Sequence, residues 1–122
     1  MQVTTPIAEA LSRYLDLTTV QLKLTASNMA NIDTPGYRTQ GIDFQRELSS
    51  QLRTISDSDE VSVDPMAQAV DGLVARPDGN NVSMDRESLQ LAKSQLQFKL
   101  GVQLLKGEFA MISSAIHSGD SK

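Results

Sequence analysis

The sequence predicts an all-α protein in which two long terminal helices pair as an antiparallel, coiled-coil-like hairpin. Between them lies an irregular insert with one candidate β-strand. Three observations predict this class. Aliphatic side chains recur every three or four residues in both terminal segments. Proline, glycine and serine clusters interrupt the chain between them. Finally, 122 residues suit a single domain.

The first helix is expected to run from about Pro6 to about Asp33. Thr5 supplies an N-cap side chain, and a proline at the first helical position removes an amide that has no partner there. The helix carries two apolar stripes that point nearly opposite ways, because two positions along a helix correspond to about 200° of rotation. One stripe contains Leu15, Leu22 and Met29, and the other contains Leu17 and Leu24.

The second long helix is expected to run from Met84 to Ile116, with Ser83 as its N-cap. It also has two apolar stripes, so pairing the two helices buries one stripe on each and leaves the others exposed. We therefore expect a marginally stable monomer that other helices order by covering those stripes. The heptad stripe contains Phe98, Val102, Leu105, Phe109, Ile112 and Ile116, and the second contains Leu89, Ala92, Leu96, Leu100, Leu104 and Met111.

The insert between the helices loses the helical period over most of its length. Its serine-rich and acidic segments, at residues 49–50 and 56–60, are expected to be solvated and mobile. A short strand is expected at residues 60–63 and a small amphipathic turn at residues 65–70. The chain is thus divided into an N-terminal helix with its turn (1–36), the insert (37–81) and a C-terminal helix (82–122), which together form a single domain.

The composition excludes several classes of function. The chain has no Cys and one His, so thiolate zinc sites, disulfides and cysteine nucleophiles are excluded. A net charge of -4 provides no cationic field for nucleic acid. Nucleophile elbows and phosphate-binding glycine loops are missing, so we expect no enzyme and no cofactor or metal. No apolar run is long enough for a direct membrane span or a Sec-type signal peptide.

The segment SNMANIDTPGYR, which ends the first helix, is the most informative part of the chain. Proline and glycine at the second and third positions of TPGY fit a type II turn. The two asparagines before it can bond to carbonyl groups at the helix end, and the tyrosine can lie against the helix that it follows. The residues selected on these grounds are Asn28, Asn31, Thr34, Pro35, Gly36 and Tyr37.

This segment also resembles the ASN-x-AN-x-x-TPGY motif that ends the N-terminal helix in the bacterial flagellar axial proteins, the rod and hook family. The short length, the run RPDGNNVSMDRESLQLAKSQLQFKLGVQLL and the tail FAMISSAI are most similar to the proximal members of the flagellar basal body rod protein family. The resemblance covers both terminal segments, whereas the insert matches no pattern of the family.

The resemblance implies a structural subunit of the flagellar basal body rod, whose paired helices form the inner layer of a tube around the export channel. Such a subunit transmits torque in the periplasmic drive shaft and is exported by the flagellar type III route without a cleaved signal peptide. Implied partners are other rod subunits, copies of itself, the small rod adaptor protein, the membrane-embedded ring and the flagellar export gate. Another axial subunit, or a soluble dimeric helical hairpin acting as regulator or export chaperone, remains an alternative.

Overall fold

The computed structural model describes residues 5–57 and 64–120. Within them, two long helices pack against each other, and a third helix and a two-stranded ladder lie between them in the chain. The predicted fold class is confirmed, with a third helix added to it. The candidate strand at residues 60–63 lies outside the described residues. The elements are α1 (Pro6–Ala30), β1 (Gln40–Gly41), α2 (Phe44–Ser56), β2 (Gln68–Ala69) and α3 (Met84–Asp120).

Helix α1 begins where the sequence predicts and ends three residues before the predicted Asp33. At its start, the Thr5 side chain accepts a hydrogen bond of 3.0 Å from the amide of Ala8. At its end, the side chains of Asn31 and Thr34 bond to each other over 3.0 Å. This local contact holds residues 31–33 in turns, and the following proline disfavours a further helical turn. The chain therefore leaves the helix early.

Helix α3 runs antiparallel to α1. Near its start, Glu87 accepts a hydrogen bond of 3.1 Å from Asn28, which lies in the last turn of α1. Further along, Glu108 accepts a hydrogen bond of 2.9 Å from Thr5, just before the first turn of α1. The helix starts at the predicted residue and continues four residues past the predicted end. Residues 109–120, which follow the contact with Thr5, are called the overhang below.

The two long helices approach each other closely at Gly101, which is buried. A methyl group at this position would lie 2.7 Å from Cδ2 of Leu15 and 3.1 Å from Cδ1 of Tyr14. Glycine is therefore required for this approach. Gly107, which is also inside α3, has no atom within 4 Å of the position that a methyl group would take.

The sequence did not predict α2, and the expectation that residues 49–50 and Ser56 belong to a mobile loop was wrong, because all three lie in this helix. Residues 58–60 of that expected loop lie outside the described residues. Asp43 caps this helix by accepting a hydrogen bond of 3.2 Å from the amide of Arg46. Phe44 packs edge-on against the ring of Tyr14, with 5.6 Å between the ring centres. Few of the residues of α2 are apolar, and exposed serines separate them, but Phe44, Leu48, Leu52 and Ile55 recur at helical spacing, so the signal for this helix was present in the sequence.

The ladder connects the two ends of the insert. Strand β1 pairs antiparallel with β2, with Gln40 opposite Ala69 and Gly41 opposite Gln68. The predicted amphipathic turn at residues 65–70 is therefore wrong, because this segment is extended and contains β2. One further bond, of 3.0 Å from the amide of Val70 to the carbonyl of Thr39, extends the pairing.

Candidate assembly site

The buried side chains of this chain are mainly polar. Among the described residues, only three hydrophobic side chains are buried: Ala8, Leu17 and Val82. Every buried side-chain nitrogen or oxygen in the described part of the chain has a hydrogen-bond partner. Such an interior fixes geometry well but contributes little hydrophobic stabilisation. The buried polar residues are Thr18, Gln21, Thr25, Asn28, Thr39, Gln51, Asn80, Asn81, Glu87 and Ser94.

Many of these polar residues belong to one structure at the end of the hairpin, which we call the clasp. The clasp consists of residues 31–40 after α1 and residues 76–83 before α3, together with Asn28 and Glu87. It joins two segments that are far apart in the sequence by hydrogen bonds. It therefore determines how the insert leaves one helix and enters the other.

Asn28 is the central residue of the clasp and is almost fully buried. Its amide nitrogen donates to the carbonyl of Gln40 over 2.8 Å and to Oε2 of Glu87 over 3.1 Å. Its amide oxygen accepts from the amide of Gln40 over 3.0 Å and from the hydroxyl of Tyr37 over 3.0 Å. All four hydrogen-bonding positions of this side chain are used, so one residue joins α1, β1 and α3.

Glu87 is fully buried and makes the ionic contact of the clasp. Its Oε1 atom accepts a hydrogen bond of 2.5 Å from Nη1 of Arg86, while Oε2 accepts from Asn28. A buried carboxylate is tolerated only when it is paired and hydrogen-bonded. Loss of either partner is therefore expected to destabilise this end of the hairpin.

The TPGY turn closes as the sequence predicts. The amide of Tyr37 donates to the carbonyl of Thr34 over 3.2 Å, and Gly36 has a φ of 74°. A type II turn requires a positive φ at its third residue, and glycine adopts this conformation easily. The amide of Gly36 also donates to the carbonyl of Asp78 over 2.9 Å, so the turn is bound directly to the second loop of the clasp.

Asn80 and Asn81 complete the clasp, and sequence analysis did not select them. The buried amide of Asn80 donates to the carbonyl of Asn31 over 2.9 Å and to the carbonyl of Thr34 over 2.8 Å. The side chain of Asn81 accepts a bond of 2.6 Å from the amide of Thr39. The available signal was the adjacent asparagine pair in the turn-rich run before α3, but its partners lie too far away in the sequence to be inferred from spacing.

The structure distributes the predicted turn residues in two groups. All of them belong to the clasp, but the side chain of Asn28 is buried and that of Tyr37 half-buried, whereas the side chains of Thr34 and Pro35 are exposed. Asn31 bonds to a helix-end carbonyl as expected, over 2.8 Å to Ser27. Asn28 does not make such a bond, because its amide is used by Gln40 and Glu87.

The predicted packing residues differ widely in burial. On α3, the residues buried against α1 are Glu87, Ser94 and Gly101, at seven-residue intervals. Ser94 and Gly101 are small and allow α1 and α3 to approach each other closely along this line. The predicted heptad stripe therefore lies at the edge of the contact between the two helices. Of the predicted packing residues, Leu17 is buried; Leu15, Leu22, Leu24, Met29, Val102, Leu105 and Ile112 are half-buried; Leu96, Phe98, Phe109 and Ile116 are exposed.

Two apolar surfaces of the hairpin remain uncovered by the described residues. The first, which we call the outer ridge, consists of Leu89, Leu96, Leu100 and Leu104, which are 72, 70, 54 and 52% exposed. The second, which we call the side groove, is a depression of about 280 Å³ bordered by Leu22, Phe98 and Val102 together with Gln95, Lys99 and Gln103. Exposed apolar surfaces of this extent are typical of protein contact sites.

The described residues show little that resembles catalytic chemistry. No three His, Cys, Asp or Glu side chains among them come close enough together to hold a metal ion. Burial raises the pKa of Tyr14, and a hydrogen bond with Gln97 opposes that shift, so this tyrosine stays protonated at neutral pH. None of the described helices combines the length and the apolar character that a membrane crossing needs.

Comparison with known proteins points to one family. Residues 15–38, which include the end of α1 and the TPGY turn, match the family model described as flagella basal body rod protein. The flagellar basal body rod protein FlgB of Escherichia coli (strain K12) is 32% identical over 87% of this chain and 89% of its own length. The FlgB proteins of Salmonella typhimurium and Bacillus subtilis are 30% and 28% identical over 87% and 89% of this chain, and 89% and 92% of their own lengths.

Proposed function

Because this chain belongs to the flagellar basal body rod protein family, we propose that it is a structural subunit of the proximal rod of the bacterial flagellum. In this proposal the chain forms part of the periplasmic drive shaft, transmits torque and surrounds the protein export channel. Its mechanism is helix packing with neighbouring subunits and involves no chemical reaction.

The observation that carries the proposal is that, in this chain, polar side chains are buried and large hydrophobic side chains are exposed, the opposite of the usual distribution in a globular protein. Three hydrophobic side chains are buried among the described residues, whereas thirteen large hydrophobic side chains are exposed. Burying a large apolar side chain contributes roughly 1.5 to 3 kcal/mol, so a free subunit forgoes a large part of the available stabilisation. Assembly supplies it when neighbouring subunits cover the outer ridge and the side groove.

The clasp gives this subunit a defined shape before assembly. A drive shaft transmits torque only if each subunit resists twisting, and hydrogen bonds from buried amides are directional. Asn28 and Asn80 join the ends of α1 and α3 through such bonds. The clasp therefore fixes the angle between the hairpin and the insert, and the apolar surfaces of α3 provide attraction between subunits.

The proposed partners follow from the same assignment. Other rod subunits and further copies of this chain cover the sides of α3. The small rod adaptor protein, the membrane-embedded ring and the flagellar export gate lie at the base of the rod. The chain reaches this place through the flagellar type III route without a cleaved signal peptide.

A complementation experiment tests the proposal. A strain that lacks this protein is expected to be non-motile and to lack rods, and expression of the unchanged chain should restore both. Basal bodies isolated from the complemented strain should contain the chain. Swimming by the deletion strain, or basal bodies without the chain, would rule out the assignment.

Sedimentation separates the proposal from the alternative of a dimeric helical-hairpin regulator or chaperone. A rod subunit is expected to be monomeric when dilute, with helicity that increases as it associates. A regulator of the alternative kind would form a stable, closed dimer at micromolar concentration. Because the exposed residues of α3 lie on more than one face, an open series of contacts agrees better with the structure.

A further inference from the structure

Two Asp-Gly pairs occur in this chain, Asp71-Gly72 and Asp78-Gly79, and no other Asp or Asn precedes a glycine. An aspartate followed by glycine can close into a succinimide ring, because glycine has no side chain to hinder attack by its own backbone nitrogen. Both pairs lie between β2 and α3, and in both the glycine has a positive φ, 81° at Gly72 and 85° at Gly79. The two pairs are therefore alike in sequence and in the conformation of the glycine.

The second pair is held in the clasp by three hydrogen bonds. The carbonyl of Asp78 accepts a bond of 2.9 Å from the amide of Gly36, and the amide of Gly79 donates over 2.8 Å to the carbonyl of Arg76. Oδ1 of Asp78 accepts a bond of 3.0 Å from the amide of Asn80. The nitrogen that would attack and the carboxyl group that would be attacked are thus each bonded to another group, and ring closure has to disrupt both bonds.

The first pair, Asp71-Gly72, lies in a linker between the ladder and the clasp. The ladder pairing ends with the amide of Val70, and the next backbone bond along the chain involves Arg76. Within the part of the chain that the structure describes, residues 71–75 make no hydrogen bond. Both residues of the pair are exposed, and a methyl group at Gly72 would meet no atom within 4 Å. The carboxyl group and the nitrogen of this pair are therefore free to come together.

We propose that Asp71 is a site of spontaneous isomerisation to isoaspartate in the folded chain, and that the clasp protects Asp78 from the same reaction. The nitrogen of Gly72 forms a bond to Cγ of Asp71, and the amide proton leaves with the hydroxyl of the protonated carboxyl group as water. Solvent water then adds to one of the two ring carbonyls and opens the ring. Cleavage of the new bond restores aspartate, whereas cleavage of the original peptide bond leaves the main chain running through Cγ. No atom is gained or lost overall, and nothing is oxidised or reduced.

The position of the reactive pair limits the effect of the reaction on the fold. Isoaspartate inserts a methylene group into the main chain and leaves a carboxylate on Cα. Residues 71–75 have no hydrogen bonds to lose, so the ladder before them and the clasp after them keep their bonds. At Asp78 the same insertion would displace the carbonyl that accepts from Gly36. The product at Asp71 therefore accumulates with the age of a subunit without opening the clasp.

Timed incubation of the full chain tests the proposal. The chain is kept for several weeks in neutral buffer with sucrose, an osmolyte that favours the folded state, while circular dichroism monitors the helical signal. Samples are then unfolded and digested with a protease that cuts before aspartate but not before isoaspartate, so the resistant fraction at each site measures the product. Asp71 should give at least about tenfold more product than Asp78, because the clasp loop reacts only in the minority of molecules in which it has opened. In urea, which unfolds the clasp, the two yields should agree within about twofold.

Gly72→Asn is the matched variant. Asparagine tolerates a positive φ, so the fold should be kept, but its side chain hinders the attacking nitrogen. Product at Asp71 should fall severalfold, and product at Asp78 should stay the same; an unchanged yield at Asp71 would rule out the ring. Similar yields at the two sites of the folded, unchanged chain, or an excess at Asp78, would overturn the protection by the clasp. An excess at Asp71 that persisted in urea would also overturn it, because the flanking residues would then set the difference.

Discussion

The clasp and the overhang lie at opposite ends of the same hairpin and are built on opposite principles. In the clasp, buried amides of Asn28 and Asn80 bond to backbone atoms from two distant loops. In the overhang, large apolar side chains such as Phe109 and Met111 are exposed on a segment that has no Asp, Glu, Lys or Arg before Asp120. The hydrogen bonds of the first region are satisfied within one chain, whereas residues 5–57 and 64–120 leave the apolar side chains of the second uncovered.

This difference separates two requirements of a subunit in a mechanical assembly. Directional hydrogen bonds specify one geometry, because each buried donor or acceptor without a partner costs free energy. Apolar contact attracts with little directionality and becomes available only when a neighbour arrives. The hydrogen bonds that specify the geometry therefore lie within the monomer. Much of the available hydrophobic stabilisation is gained only when monomers associate.

The largest expected effect comes from removing the central amide of the clasp. Asn28→Ala leaves the amide and carbonyl of Gln40, the hydroxyl of Tyr37 and the buried carboxylate of Glu87 each without one partner. We expect a loss of about 3 to 5 kcal/mol in the free energy of unfolding. For a marginal monomer this is enough to unfold it, which loss of the helical circular dichroism signal and of motility would report.

The matched control for that variant is Asn31→Ala. Among the described residues, the side chain of Asn31 bonds only to Ser27 and Thr34, in exposed positions, so its removal should cost about 1 kcal/mol or less. If both variants had equally small effects on urea unfolding, the clasp would not be the stable end of the hairpin.

A smaller effect is expected at the turn that the clasp holds. Gly36 has a φ of 74°, and a methyl group at this position meets no atom within 4 Å, so any penalty comes from the backbone conformation alone. Gly36→Val should therefore cost about 2 kcal/mol, because a β-branched residue is disfavoured at positive φ. Gly36→Asn should cost clearly less, since asparagine tolerates this region. Equal swimming and equal urea midpoints for the two variants would contradict this account.

The sequence predicted the parts of the fold that depend on neighbouring residues. Thr5 and Pro6 identify the start of α1, and the TPGY turn is visible from its proline and glycine. The start of α3 was also found. Each of these features depends on residues within a few positions of one another.

The parts that the sequence did not predict depend on distant partners. Asn80 bonds to carbonyl groups nearly fifty positions earlier, so no local pattern shows that its side chain is buried. Gly101 stands inside a helix, where glycine is disfavoured, and the reason for it depends on where Leu15 lies. Helix α2 is a different case, because Phe44, Leu48, Leu52 and Ile55 recur at helical spacing and the serines between them obscured that pattern; the contact of Phe44 with Tyr14, thirty positions earlier, could not be inferred from spacing.

Two glycines of α3 give effects of opposite sign at about 1 kcal/mol. Alanine is favoured over glycine in a helix by about 1 kcal/mol, so Gly107→Ala, in open space, should raise the thermal midpoint of the free chain. At Gly101 the added methyl group would contact Leu15 and Tyr14 too closely, and overpacking costs about 1 to 3 kcal/mol. Gly101→Ala should therefore lower the midpoint. A rise in both variants would mean that the helices separate easily at this crossing.

The smallest effect on the monomer is expected on the outer ridge, where the effect on assembly should be large. Leu96 is 70% exposed, and glutamine has a helix propensity close to that of leucine, so Leu96→Gln should change the free energy of unfolding by less than about 0.5 kcal/mol. The same change removes an apolar contact from every subunit interface, so rods per cell should fall at least severalfold. Lys23→Gln, which changes an exposed residue of α1 outside the outer ridge and the side groove, is the control and should leave rod number unchanged. A variant of Leu96 that destabilised the free chain as much as Asn28→Ala does would show that the ridge supports the monomer, and the division between the two ends of the hairpin would then be incorrect.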